Sequence, residues 1–155
     1  MIRKTFWRSP LGWTEIGERD GGIVSIGFTS KPARSQDKSP LLERAVRELQ
    51  TYFKNRREKF SFKLKTEGTP FQSRVWKELL KIPCGSVVSY KDIARRIGRP
   101  RAFRAVGSAV GKNKIMICIP CHRVVGSGGR LGGYAYGAQK KRWLLKLEKA
   151  KGLRA

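Results

Sequence analysis

The run Ile115-Met116-Ile117-Cys118-Ile119 sets the strongest limit on how this chain folds. Apolar residues in unbroken succession, closed by Pro120, have the length of a strand buried on both faces rather than of a helix. Pro120 has no N–H to offer a ladder, so pairing is expected to stop there. Cys121 and His122 follow at once, and His122 is the only histidine in 155 residues. A thiol and the sole imidazole thus stand together where a rigid element ends, held accurately and expected to be reachable. Cys121 is a candidate nucleophile, with the imidazole of His122 beside it.

The same letters support other readings. Cys118 to His122 spells the Cys-x-x-Cys-His pattern of c-type haem attachment, and Cys-x-x-Cys alone is a redox pattern. Both need two accessible thiols, whereas Cys118 lies within the apolar run and reads as a small core hydrophobe. Haem attachment also belongs to exported proteins, and the N-terminus Met-Ile-Arg-Lys-Thr-Phe-Trp-Arg carries no signal-length apolar segment. A purely structural Cys121 stays open on spacing alone. Three cysteines, an odd number, argue against a disulfide framework and for a reducing compartment. No run is long enough to cross a bilayer, so a soluble, cytoplasmic protein without a membrane partner is expected.

Charge narrows the partners. Lys and Arg number 35 against 11 Asp and Glu, for a net charge of +24. Residues 1–66 hold 15 basic and 7 acidic side chains; residues 67–155 hold 20 and 4. The excess in the second part points to a polyanion, nucleic acid before an anionic membrane, because no single basic amphipathic helix carries it.

Residues 2–8, 12–18 and 22–28 read as three short strands joined by Ser9-Pro10-Leu11-Gly12 and Asp20-Gly21-Gly22. Ser39-Pro40 is a cap followed by proline at the first helical position, and Leu42, Ala45, Val46, Leu49, Tyr52 and Phe53 give a helix over 40–54. Arg44, Arg47, Lys54, Arg56 and Arg57 form its solvated face. Lys65 to Thr69 is the best domain boundary, dividing 1–66 from 67–155. Thr69-Pro70 opens a second helix, and Ile82-Pro83-Cys84-Gly85 closes it, with Cys84 structural. Ser89 and Asp92 form a capping box over a helix to Ile97. Gly98 stops it, and Pro100 opens another over 101–111.

Two short helices joined through Gly98-Arg99-Pro100 have the shape of a helix-turn-helix. In the second, Phe103, Val106 and Val110 can face a core, while Ala102, Ala105, Gly107, Ser108 and Ala109 make a face of very small side chains. Interior glycine costs about 1 kcal/mol against alanine, so something is expected to pack against that backbone. Close helix–helix packing would serve; with Arg95, Arg96, Arg99, Arg101 and Arg104 around it, a DNA groove serves better. Gly126-Ser127-Gly128-Gly129 is a loop that could form a wing. A last helix starts near Ala138, with Lys140, Lys141 and Arg142 directed to solvent or phosphate and Glu148 a surface ion-pair residue by default.

Pro120-Cys121-His122-Arg123-Val124 closely resembles the active-site signature of the methylated-DNA–protein-cysteine methyltransferases, the 6-O-alkylguanine-DNA alkyltransferases. Segments in order match as well: Thr69-Pro70-Phe71-Gln72, Val87-Val88-Ser89-Tyr90, Arg104-Ala105-Val106-Gly107, Asn113, Gly132-Gly133-Tyr134, and Trp143-Leu144-Leu145 with Glu148. The resemblance is specific over 69–149 and looser earlier, in Ser9-Pro10-Leu11-Gly12 and Tyr52-Phe53.

The resemblance implies an α+β protein: an N-terminal ribonuclease-H-like domain with a small antiparallel sheet, then a C-terminal winged helix-turn-helix domain. It implies a suicide reaction on double-stranded DNA, in which Cys121 takes the alkyl group of 6-O-methylguanine irreversibly, with 4-O-methylthymine left open as a second substrate. A free thiol is only a few per cent ionised at pH 7, so its proton must be removed. By resemblance His122 does this through a water, Glu148 orients the imidazole, and Asn113 braces the site. The nucleotide must leave the duplex, at a cost of a few kcal/mol. Arg104 is then the finger that fills the stack, Tyr90 helps turn the nucleotide, and Ala102, Ala105, Gly107 and Ser108 lie in the minor groove. Tyr134, Val124, Ala135, Tyr136 and Val110 line the base pocket. No cofactor and no metal are implied, and a monomer is expected.

The chain departs from the pattern in places. Lys114 stands where many relatives have proline. Tyr136, at the pocket edge, is expected to narrow tolerance for groups as large as benzyl. The zinc ligands of some relatives are missing, since no cysteine precedes Cys84.

Overall fold

The computed structural model describes residues 1–55 and 59–154, which form two compact units. One contains residues 1–67 together with Lys114–Cys118; the other contains 68–113 and the chain from Ile119 onward. Arg56 and Arg57 lie outside the described residues. No described helix is long and apolar enough to cross a membrane.

In the first unit, β1 (Arg3–Ser9), β2 (Gly12–Arg19) and β3 (Gly22–Phe28) make an antiparallel sheet in that order. The β2–β3 turn holds Asp20 and Gly21 at φ 49° and 78°, the paired left-handed conformation of a tight hairpin turn. Helix α1 (Pro40–Phe53) buries Leu42, Ala45, Leu49, Tyr52 and Phe53, the same unit as buried Ile16, Ile23 and Ile26 of the sheet. Arg44, Arg47 and Lys54 are exposed, as the helical period requires. The polar loop before α1 shields the open edge of β1: the Gln36 carboxamide oxygen accepts from Phe6 N at 3.0 Å, and Asp37 Oδ2 from Lys4 N at 2.9 Å.

Ser39 joins helix and sheet. Its Oγ accepts from Leu42 N and donates to Glu18 Oε2, both at 3.0 Å, and Glu18 also pairs with Arg3. Ser39→Ala removes a cap and strips a buried carboxylate of a donor. A loss of about 1–2 kcal/mol is expected, read as a lower urea midpoint with unchanged slope.

The apolar run does not form the five-residue strand its composition suggests. Ile115 makes one parallel bridge to Ile26, through Ile26 N to Lys114 O and Met116 N to Ile26 O, and the chain then turns, with Ile117 at φ 71°. Residues Ile115 to Ile119 are nonetheless all buried. Burial without pairing gives the same letters as a buried strand.

In the second unit, α2 (Pro70–Leu79) and α3 (Tyr90–Arg96) start on complete capping boxes, Thr69 with Gln72 and Ser89 with Asp92. Helix α4 spans Phe103–Gly111, so Arg101 and Ala102 belong to the turn before it rather than to the helix. Trp76 of α2 donates its indole N–H to Ala109 O at 2.9 Å. Ala109 is buried with Val106 and Val110 and leaves the small-residue face; Arg104, Ala105 and Ser108 are exposed, and Ala102 and Gly107 half-buried.

Two-residue strands β4 (Val88–Ser89) and β5 (Val124–Val125) pair in parallel. The glycine-rich loop is a short 3-10 turn at Ser127–Gly129. Gly129 sits at φ 80°, where a Cβ would collide with the carbonyl oxygen of Gly152, so the close approach of the C-terminal tail requires glycine there. Helix α5 (Ala138–Leu147) ends the ordered elements.

Candidate active site

Cys121, His122 and Arg123 form a single 3-10 turn immediately before β5. Cys121 N donates to Ile119 O at 2.7 Å and Arg123 N to Pro120 O at 3.0 Å, a tight turn that starts at the proline. Cys121 and His122 are therefore carried by a turn, not by the end of a strand. Cys121 is buried, with 7 % of its surface exposed, and His122 is completely buried. Asn113, just after α4, donates its amide to Ile119 O at 2.8 Å and also bonds the Cys121 sulfur.

Glu148 directly follows α5 and is buried, not at the surface. Its Oε2 lies 2.7 Å from His122 Nε2, and both oxygens accept from Arg123: Oε1 from Nε and Oε2 from Nη2, each at 2.9 Å. Arg123 Nη1 donates to Ile82 O at 2.7 Å. Burial works to raise the Glu148 carboxyl, but the bonds and charges of His122 and Arg123 outweigh it and hold it down to about 2. Being ionised, Glu148 can only accept, so neutral His122 carries its proton on Nε2. The Nδ1 lone pair has no hydrogen-bond partner among the described residues. A lone pair so placed can accept a proton.

Burial pushes the Cys121 thiol up and His122 down, so the resting pair is thiol and neutral imidazole. Against burial, Asn113, the Lys141 charge and the N–H groups of Cys121 and His122 all favour the thiolate. Sulfur ionisation is opposed by the site's dryness and assisted by its dipoles, so it fits an anion that exists only in passing.

Tyr90, at the start of α3, and Tyr134 are both raised, first by burial and then by the Cys121 charge. Tyr134 remains a phenol, and its OH is buried without a hydrogen-bond partner among the described residues. The Tyr136 ring meets it edge-on, centroids 5.6 Å apart. Thus Cys121, His122, Glu148, Asn113, Tyr90 and Tyr134 come together. Ala135 is exposed, Val110 and Val124 belong to the core, and Arg104 projects from α4 at the surface.

Lys141 reverses its sequence reading: it is completely buried. Its Nζ donates to Val124 O at 2.7 Å and to Gly133 O at 2.9 Å, tying β5 to the glycine-rich segment, and lies 5.9 Å from the centre of the Tyr90 ring. Burial pulls it down to about 8, opposed by the Cys121 charge. The signal was present in the chain, since residue 141 falls on one helical face with Leu144, Leu145 and Glu148. Lys141→Met strands the buried carbonyl of Val124 and takes the donor from that of Gly133. We expect a loss of about 2 kcal/mol, seen as a lower urea midpoint. Arg123 is the second residue that sequence reading left without a role, a lone cation inside a buried stretch.

Comparison with known proteins gives a consistent result. Residues 2–66 match the family model described as 6-O-methylguanine DNA methyltransferase, ribonuclease-like domain, and residues 70–150 the one described as 6-O-methylguanine DNA methyltransferase, DNA binding domain. The methylated-DNA–protein-cysteine methyltransferase of Methanosarcina barkeri is 44 % identical over 146 residues, covering 90 % of this chain and 92 % of that protein. The crystal structure of Mycobacterium tuberculosis OGT in complex with DNA is similar with a TM-score of 0.85 at 41 % identity, covering 93 % of this chain and 91 % of that one. The structure of Mycobacterium tuberculosis O6-methylguanine methyltransferase gives 0.87 at 38 %, covering 100 % and 96 %.

Proposed function

The chain belongs to the 6-O-methylguanine DNA methyltransferase family, and from that premise we propose that Cys121 is the residue that accepts the alkyl group. Its activity is DNA repair by transfer of an alkyl group from DNA to a cysteine of the protein itself. The observation that carries the assignment is the buried chain Glu148–His122, which leaves Nδ1 with a lone pair beside the Cys121 turn.

In this reading the Sγ proton passes through a bridging water to His122 Nδ1, making an imidazolium opposite Glu148. The thiolate attacks the alkyl carbon in line. A C–S bond forms, the C–O bond breaks, and the guanine oxygen leaves with the electron pair. The Tyr134 hydroxyl, held protonated, is the donor available to the departing base. A thioether has no hydrolytic exit, so each chain acts once. This triad differs from a hydrolase in having no second half-reaction.

The substrate is a guanine turned out of double-stranded DNA. The exposed Arg104 and the small residues Ala105 and Ser108 on α4 support a groove-facing helix with Arg104 entering the stack, and Tyr90 at the start of α3 supports a role in holding the turned nucleotide. The paired short helices with the β4–β5 ladder support a winged helix-turn-helix unit over 67–155. The three-stranded sheet and α1 support a ribonuclease-H-like unit over 1–66. A monomer in a reducing cytoplasm completes the reading. An alternative, a module that binds alkylated bases without repairing them, has no use for an activated thiol.

The test is intact-mass analysis after mixing with a duplex holding one 6-O-methylguanine, followed by peptide mapping. One methyl per chain, on Cys121, is expected with any excess of substrate. Repeated turnover, or a methyl on another residue, would overturn the reading.

A further inference from the structure

We propose that Arg123 is a positioning residue for alkyl transfer: its charge, held at two points against Glu148, lets His122 present Nδ1 as an uncharged proton acceptor. The inference rests on the reading of Cys121 as acceptor and His122 as base.

Each oxygen of Glu148 is held by the guanidinium, Oε1 by Nε and Oε2 by Nη2, and the third arm is fixed on the Ile82 carbonyl. The carboxylate therefore cannot swing, and Oε2 stays at 2.7 Å from Nε2. Charge makes the second contribution. A lone carboxylate beside a buried imidazole draws a second proton onto the ring, because no water screens the pair. An imidazolium has no lone pair for the Cys121 proton. Arg123 already balances Glu148, so a second proton on His122 would leave the buried cluster positive.

The charged and titratable groups bearing on His122 are Lys141 from α5 and Glu148 directly after it, and Arg123 and Cys121 from its own turn; Tyr134, beside Cys121 and Glu148, stays a phenol. Burial first, then the charges of Arg123 and Lys141, keep the ring below the ordinary imidazole value despite its carboxylate contact. In the transfer the proton leaves Sγ and arrives at Nδ1; Arg123 gives and takes none. Lysine would supply the charge but not the planar fork.

The sole histidine makes this measurable. A single imidazole NMR signal reports the titration of His122 in DNA-free protein, with no transfer needed. R123Q removes the charge and keeps a donor toward Glu148; R123K keeps the charge and loses the grip. The parent is expected to titrate below about pH 6.5, R123Q about one pH unit higher, and R123K within about half a unit of the parent. As pH falls below the parent's midpoint, methyl transfer by R123Q drops toward about a tenth of the parent's, following the neutral-imidazole fraction.

A parent His122 titrating at or above the ordinary value overturns the proposal, and that outcome needs no variant to fold. Equal midpoints in R123Q and parent, or equal shifts in R123Q and R123K, overturn it too, the latter marking a merely structural role. A parent that takes up no methyl overturns the alkyl-transfer reading instead, and the NMR titration still judges Arg123 separately.

Discussion

Cys121→Ala is expected to bind duplex DNA carrying 6-O-methylguanine as the parent does and to take up no methyl group at all. In the proposed reaction its sulfur is the atom to which the new bond is made, so no neighbour can substitute for it. Cys118 is buried in the other compact unit, and burial first, then the Glu48 charge, push its thiol well up. Cys84 lies in the turn after α2, and the sole histidine of the chain is adjacent in sequence to Cys121. Removing a nucleophile of this kind costs on the order of 10³-fold or more in rate. Here the product is counted per chain, so the loss reads as zero methyl by intact mass. Burial protects the fold: alanine is smaller than cysteine by one sulfur, and the Cys121 N–H bond to Ile119 O belongs to the backbone. DNA affinity should hold within about twofold, because the positive charge that meets phosphate is untouched. Residual transfer to Cys84 or Cys118 would move the acceptor elsewhere and refute the assignment.

The regular elements were legible because chain punctuation marks them. Ser39-Pro40, Thr69-Pro70 and Ser89 with Asp92 each start a helix whose cap is found in place. Asp20-Gly21 fixes a hairpin whose strands lie within a residue or two of their expected bounds. What the letters could not separate is burial from pairing. Ile115 to Ile119 are as apolar as a central strand and are buried, yet only Ile115 pairs. Charge misled in the same way. A run such as Lys140-Lys141-Arg142 reads as solvated, and one of the three is buried because backbone carbonyls of Val124 and Gly133 wait for it. The Cys121–His122 pairing stood in the open as adjacent letters. Glu148 came to it only through the family resemblance, since a separation of 26 positions says nothing about contact.

Glu148→Gln should leave the protein folded and nearly inactive, whereas Glu148→Leu should damage the fold as well. Glutamine has the volume of glutamate but one acceptor oxygen instead of two. Arg123 donates to both oxygens and His122 faces Oε2, so the amide NH₂ meets a donor in either orientation, and placed at Oε2 it faces His122. Nε2 must then accept, the ring proton moves to Nδ1, and the base is lost to the wrong tautomer. Rate losses of roughly 10²–10⁴ are expected from a displaced general base of this kind. Leucine removes every acceptor and leaves Arg123 a buried charge without its carboxylate, a loss of about 3–5 kcal/mol. Acid adds an independent check. Glu148 is held at about 2 in the folded protein, below the unfolded carboxylate. Its stabilisation is therefore complete above about pH 5, and is lost as pH falls from there through 2. Glutamine has no proton to gain, so its urea midpoint should lie below the parent's at pH 6 and approach it at pH 3. Parallel acid curves for parent and Glu148→Gln, or methyl transfer by Glu148→Gln at the parent rate, would show that this carboxylate neither anchors the fold nor sets the histidine.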